Sequence, residues 1–223
     1  MLRSALSAFV TAGLALPVAA CAPVVQGEAL PALYEREAPL SRIAIAPFAP
    51  AGRLADEPAA RPEKPSTQTS TGSPPVAPTL VGRYLGEALA PRVEVIPAED
   101  VQRALGLEAA PREPLPPAEV ARLASARFGA DAVILGRVSR FVERSGEATG
   151  TRRPASVSFT VTLYEAPGAR PLWTARFDET QRALSENVLD AGRYPGRGSR
   201  WLSAEELARW GAGELALALP LGR

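Results

Sequence analysis

Asp131-Ala132-Val133-Ile134-Leu135-Gly136, written "DAVILG", places four apolar side chains in a row with no polar residue between them. A strand with one face in water alternates apolar and polar residues. This one is apolar on both faces, as a strand covered by helices on each side must be. It then turns polar through Arg137 and Arg140. Upstream, Arg42-Ile43-Ala44-Ile45-Ala46-Pro47-Phe48 has the same small, apolar, two-sided character and reads as the first interior strand.

The chain between these two stretches alternates helical and strand signals. Thr79 is placed to cap a helix through Ala90, with Leu80, Val81, Tyr84, Leu85, Ala88 and Leu89 on one face. Val93-Glu94-Val95-Ile96 is a short strand, and Pro97 opens a short helix that carries Val101, Ala104 and Leu105 inward. Ala118 to Phe128 repeats the helical period through Val120, Leu123, Ala124 and Phe128, and Gly129 stands where a left-handed cap ends such a helix. The order β-α-β-α-β predicts a parallel core with right-handed crossovers.

Downstream the pattern changes. Ser156-Val157-Ser158-Phe159-Thr160-Val161-Thr162-Leu163 alternates strictly, with hydroxyls on one side, which predicts an antiparallel strand with one wet face. The turn "EAPGAR" returns the chain as Leu172-Trp173-Thr174-Ala175-Arg176-Phe177, making a long hairpin. Ser203-Ala204-Glu205-Glu206 is a capping box with Leu202 and Leu207 as its staple, and the helix it opens runs to about Leu219. The expected fold is α/β: a β-α-β-α-β core, continued by an antiparallel hairpin into one mixed sheet, with a C-terminal helix. It occupies a single domain over residues 41–220.

The N-terminal stretch has a different purpose. Residues 1–20 show one charge at Arg3, an apolar run from Ala5 to Leu16 and then small residues. That is the order of a secretory signal, and the run is too short for a comfortable membrane span. Val18-Ala19-Ala20-Cys21 resembles a bacterial lipobox, which implies that Cys21, the only cysteine, is acylated and becomes the mature N-terminus. An incidental cysteine after an ordinary signal is the plainer alternative, but a lone thiol is a liability in an oxidising compartment. Ala22 stands where an aspartate would resemble an inner-membrane retention signal, so the outer membrane, periplasmic face, is the expected location. Residues 21–40 read as a tether, nineteen residues beyond the cysteine that span up to about 60 Å when extended. Residues 50–78 hold seven prolines and the polar run "STQTSTGS", and read as a disordered insertion.

Composition narrows the function. Removing residues 1–20 takes Arg3 out of 25 basic residues and leaves 24 against 24 acidic. No net field then draws the chain to nucleic acid. Histidine is absent, which excludes the Ser-His-Asp triad, the Cys-His dyad and Cys/His zinc sites in their usual forms. No cofactor or metal site is expected, and no enzyme. The most suggestive loop is Gly192 to Arg200. Its Arg193, Arg197 and Arg200 among glycines can grip phosphate or carboxylate, and a solvated turn is the plainer reading. Tyr194, Trp201 and Trp210 are candidate partner contacts, with packing of the last helix on the sheet as the alternative. Asp178 and Glu179 are adjacent on a strand and so point opposite ways, which favours ion pairing over shared acid–base work.

"RIAIAPF", "GADAVILGRVSRF" and "VSFTVTLYEAPGARPLWTARF" together resemble the periplasmic lipoprotein domain shared by the curli-secretion lipoprotein CsgG and the penicillin-binding-protein activator LpoB. The likeness covers roughly residues 40–180 and rests on element order plus short apolar motifs. The segment "LSENVLDAGRYPGRGSRWLSAEELARWG" is similar to the tail of a further group of bacterial lipoproteins and implies no activity. CsgG-type pores need two amphipathic hairpins per subunit; here residues 138–181 supply one and the Pro-rich 50–78 departs from the second. The expectation is a lipid-anchored adaptor or assembly factor that binds an unidentified envelope protein. The alternatives are an oligomeric secretion component of CsgG type and a module that binds peptidoglycan or lipid phosphate through Arg193, Arg197 and Arg200.

Overall fold

The computed structural model describes residues 25–36, 38–50, 74–109, 111–147, 150–181, 194 and 200–221. The elements are β1 (Val25–Ala29), α1 (Pro31–Tyr34), β2 (Arg42–Ile45), β3 (Ala49–Pro50), α2 (Ala77–Leu89), β4 (Glu94–Ile96), α3 (Ala98–Ala104), α4 (Pro117–Phe128), β5 (Ala132–Val142), β6 (Ser145–Gly146), β7 (Thr151–Arg153), β8 (Ser156–Glu165), β9 (Pro171–Thr180) and α5 (Ala204–Ala218). One mixed sheet runs in the order β1-β9-β8-β5-β2-β4, with β3 added alongside β5, and β6 and β7 form a separate ladder. The α/β class, the mixed sheet and the C-terminal helix are as expected from the sequence.

β5 is the hinge of the architecture. It is parallel to β2 on one side, with Ile43 opposite Ala132, and antiparallel to β8 on the other, with Ile134 opposite Leu163. Its two apolar faces serve two cores. Ala132, Ile134 and Val138 join Ile43, Ile45 and Phe48 beneath α2 and α5. Val133 joins Ala44, Ala46 and Ile96 beneath α3 and α4. The first core continues across the antiparallel strands through Phe159, Val161, Phe177 and Ala175, whereas the second stops at the parallel strands, with Tyr164 at its margin.

Local chemistry sets the element ends. Gly129 closes α4 in the left-handed conformation, at φ 64°. Ser203 and Glu206 form the reciprocal capping box of α5, and Leu202 and Leu207 are buried beside it. Asp131 accepts from Ser41 N, Ser41 Oγ and Arg42 N at 2.8, 2.6 and 2.8 Å, so a single carboxylate fixes the entry of β2 to the entry of β5. Between α2 and α5, the Tyr84 hydroxyl donates to Glu205, and the Arg209 guanidinium lies 4.1 Å from the Tyr84 ring centroid.

Four expectations change. Val25–Ala29 lies within the stretch assigned to a tether, yet it pairs antiparallel with β9 along its whole length, so only residues 22–24 separate Cys21 from the sheet. The first residue of the Pro-rich insertion belongs to the sheet as well, because Pro50 pairs with Val138 in β3. At its other end, Ala77 and Pro78 are buried in the first turn of α2. The helix therefore starts before Thr79, with proline in its first turn in place of a side-chain cap. Residues 51–73 lie outside the described residues. Finally, the hydroxyl face of β8 is not wet throughout, since Ser158 is fully buried and Ser156 nearly so.

Candidate functional site

Sheet topology leaves one broad surface without a helix. Alternation places Thr160 and Thr162 of β8, Thr174, Arg176 and Asp178 of β9, and Gln26 and Glu28 of β1 on the face opposite the large core. Among the described residues no helix covers the middle of these strands on that side; α3 and α4 lie over β2, β4 and the first part of β5, and α4 reaches β8 at Tyr164. The face is polar because its pleat carries hydroxyls and charges where the other carries Phe159, Val161 and Phe177. A shallow cleft of about 590 Å³ runs along it, between β1 and the middle of the hairpin, past Gln26, Glu28, Thr160, Thr174 and Arg176.

At the upper end of this face the side chains knit together. A bulge in β5 between Val138 and Arg140 turns Ser139 onto Ser158, where its hydroxyl lies 3.0 Å from Ser158 Oγ. Arg140 Nε donates to Ser156 Oγ at 2.6 Å, and its terminal nitrogen bonds Asp178. Arg176 bonds the other Asp178 oxygen. Burial disfavours the Asp178 carboxylate, but the two guanidinium groups outweigh it and hold the carboxyl below its ordinary range. The next residue, Glu179, faces the other way and accepts from the Tyr194 hydroxyl at 2.7 Å. The adjacent carboxylates thus serve two different faces and make no acid–base pair.

A second concavity, an apolar groove of about 610 Å³, lies at the opposite end of the domain. Leu33, Tyr34 and Leu40 line one wall and Leu219 and Leu221 the other, with Arg36 and Arg92 at the rim. Tyr34 is 78% exposed there. Arg92 donates to the carbonyls of Ala216 and Leu219, satisfying the last turn of α5.

The residues singled out from sequence scatter. Cys21, Arg193 and Arg197 lie outside the described residues. Arg200 is bidentate to Glu206, at 2.8 and 2.6 Å, so its guanidinium belongs to the α5 cap. Tyr194 is 8% exposed, with its ring 5.3 Å from that of Trp210, so it packs rather than projects. Trp201 is half-buried. Sequence reasoning missed the cleft because its wall is β1, whose residues carry no strong strand signal. Among the described residues no group of three or more potential metal ligands is present, and no helix is long and apolar enough to cross a membrane.

The Arg200–Glu206 pair makes stability pH-dependent. Hydrogen bonding from Arg200 first, and from Ser203 N next, overcomes burial and brings the Glu206 carboxyl from 4.5 down to about 2. A carboxyl lowered in the folded state stabilises above its unfolded value and loses that contribution as pH falls toward the folded one. Both partners are nearly half exposed, so solvent screening leaves only part of the full linkage. Urea unfolding at pH 6 and pH 3 is expected to show a smaller acid loss for Glu206→Gln than for the parent chain. An unchanged acid loss would remove this pair from the account.

No family model matches the chain, and no curated protein matches it. Several solved structures are similar to it. The PelC dodecamer from Paraburkholderia phytofirmans is 16% identical, with 86% of this chain and 95% of that one covered and a TM-score of 0.42. Lipoprotein GNA1162 from Neisseria meningitidis is 16% identical over 68% of this chain and 94% of that one, with a TM-score of 0.38. The LpoB C-terminal domain from Salmonella enterica is 15% identical over 64% of this chain and 84% of that one, with a TM-score of 0.34.

Proposed function

We propose that this chain is an acylated lipoprotein of the bacterial outer membrane whose domain binds an envelope protein in the periplasm, without catalysing a reaction. The observation that carries the reading is β1. It is a five-residue strand at the end of the sheet, paired on one side with β9 and with no strand on its other side among the described residues. Such an edge offers a row of backbone donors and acceptors to an extended segment of another chain. The cleft beside it, with Gln26, Glu28 and Arg176, supplies side-chain contacts for alternate residues of that segment. Acylation of Cys21 concentrates the domain at one surface, which suits a weak binder.

Two measurements test this. Cys21→Ala is expected to move the protein from the membrane fraction to the soluble periplasmic extract, as one lost anchor removes all stable attachment; retention in the membrane would refute the lipoprotein reading. A photo-crosslinking residue at Gln26 is expected to capture a distinct envelope protein in living cells. Adducts between copies of this chain would favour the second reading instead, an oligomeric secretion component of CsgG type. That reading has support of its own, because the sheet ends in β1 on one side and β4 on the other, and two unlike edges can join copies head to tail. A peptidoglycan- or lipid-phosphate-binding role for Arg193, Arg197 and Arg200 is weaker, since Arg200 is held by Glu206.

A further inference from the structure

Strand register fixes how far the domain can stand from its anchor. Val25 lies opposite Phe177, and β9 ends three residues later at Thr180, opposite Ser156. At about 3.4 Å per residue, the end of the sheet is about 10 Å beyond Val25 along the strands. Cys21 is four residues before Val25, so even a fully extended link reaches about 14 Å. An acylated Cys21 therefore clears the end of the sheet by about 4 Å at most. The β6–β7 hairpin goes further, because it joins Val142 to Ser156 and so extends past that end.

We infer that this end of the domain rests directly on the membrane surface, with Arg152 and Arg153 of the hairpin against lipid phosphates of the leaflet that holds Cys21. The inference depends on the lipoprotein reading above. Charge supports it. Arg152 and Arg153 are exposed and make no ion pair among the described residues. Arg144, at the hairpin's base, donates to the Gly146 carbonyl at 2.8 Å. Among the described residues of the hairpin and its base, two carboxylates accompany these three arginines: Glu143, which is turned inward to accept from Ala204 N at 3.0 Å, and the exposed Glu147. Guanidinium groups suit phosphate because they bind it in a bidentate fork. At the far end of the sheet Arg36 and Arg170 are paired with Glu165 and Glu35, and Arg92 is engaged by the carbonyls of Ala216 and Leu219. The flank formed by β1 presents Gln26 and Glu28, which do not attract phosphate.

The test uses the full acylated chain in vesicles of phosphatidylethanolamine and phosphatidylglycerol that contain a headgroup-labelled quenching lipid. A fluorophore is placed by Gly150→Cys on the hairpin, where an added Cβ meets nothing within 4 Å, or by Tyr34→Cys at the opposite end. Acylated Cys21 has no free thiol to compete for label. Strong quenching at 150 with none at 34 is expected, and the double charge reversal Arg152→Glu, Arg153→Glu should weaken it while the protein still floats with the vesicles. Equal quenching at both positions overturns the orientation. Quenching at 150 that charge reversal leaves unaltered overturns the arginine contact. Protein without acyl mass on Cys21 that stays out of the vesicle fraction removes the lipoprotein reading and this inference together, and is told apart from the other outcomes by mass and flotation.

Discussion

Phe177→Ala is expected to lower the unfolding free energy by about 3–5 kcal/mol, a large share of the roughly 5–15 kcal/mol typical of a domain. The Phe177 side chain is fully buried where β9, β8 and α5 meet. Its ring centroid lies 5.2 Å from that of Phe159 and 5.7 Å from that of Trp210, the latter edge-on. A Cβ on Gly211 would stand 2.7 Å from the same ring, so the backbone of α5 presses directly on it. That contact decides the size of the effect. Side chains can lean into a vacated space, but a helix backbone held by its own hydrogen bonds cannot, so the cavity stays open and the cost sits high in the range. Urea unfolding should show a lower midpoint with an unchanged slope. A loss below about 1 kcal/mol would mean that α5 settles onto the sheet after all, and that the helix is less firmly placed than its contacts imply.

The elements that were legible in the sequence are those whose signal is local. Ile43 to Ile45 and Ala132 to Leu135 announce buried strands because covering helices remove any reason for polar residues there. Ser203 and Glu206 announce a helix start because each satisfies the other's backbone. Gly129 announces a helix end because only a residue tolerant of positive φ fits the cap. β1 was not legible. Its face toward the core reads Val25, Gly27 and Ala29, and the middle position is bare because Trp173 occupies the space, with an added Cβ on Gly27 only 3.3 Å from the indole. The residue that would have completed the alternation belongs to another strand. The cleft was hidden for the same reason, because its wall is formed by that pairing. The burial of Ser158 depends on a bulge in β5, 19 residues away, which no local pattern records. Arg200 reads as a free cation among glycines, and only the structure places it on Glu206.

Gly136→Val should be the most damaging single added side chain in the domain's interior. Gly136 sits in β5, where valine would ordinarily be welcome, with a strand preference worth up to about 1 kcal/mol. Here the preference is overruled. An ideal Cβ at this position would lie 2.2 Å from two atoms of the Phe48 ring and 2.5 Å from a third. The ring has little room to swing aside, because Gly82 of α2 lies beside its opposite edge, with its own Cβ position 3.6 Å away, and Phe48 is only 1% exposed. Phe48 is thus held between two glycines, one on the sheet and one on the helix. Valine must push α2 off the sheet or force the ring from its rotamer, at about 3 kcal/mol or more. A double-mutant cycle separates this clash from any general intolerance of β5. Phe48→Ala alone is expected to cost about 3–5 kcal/mol, and the pair Phe48→Ala, Gly136→Val should cost less than the sum of the two by about 1–3 kcal/mol, because the valine then fills the space the ring leaves. Additive losses would show that Gly136 is constrained by its backbone and not by the ring. Coupled losses would show that one aromatic side chain sets the spacing between helix and sheet, and that its glycine partners are specified by that spacing.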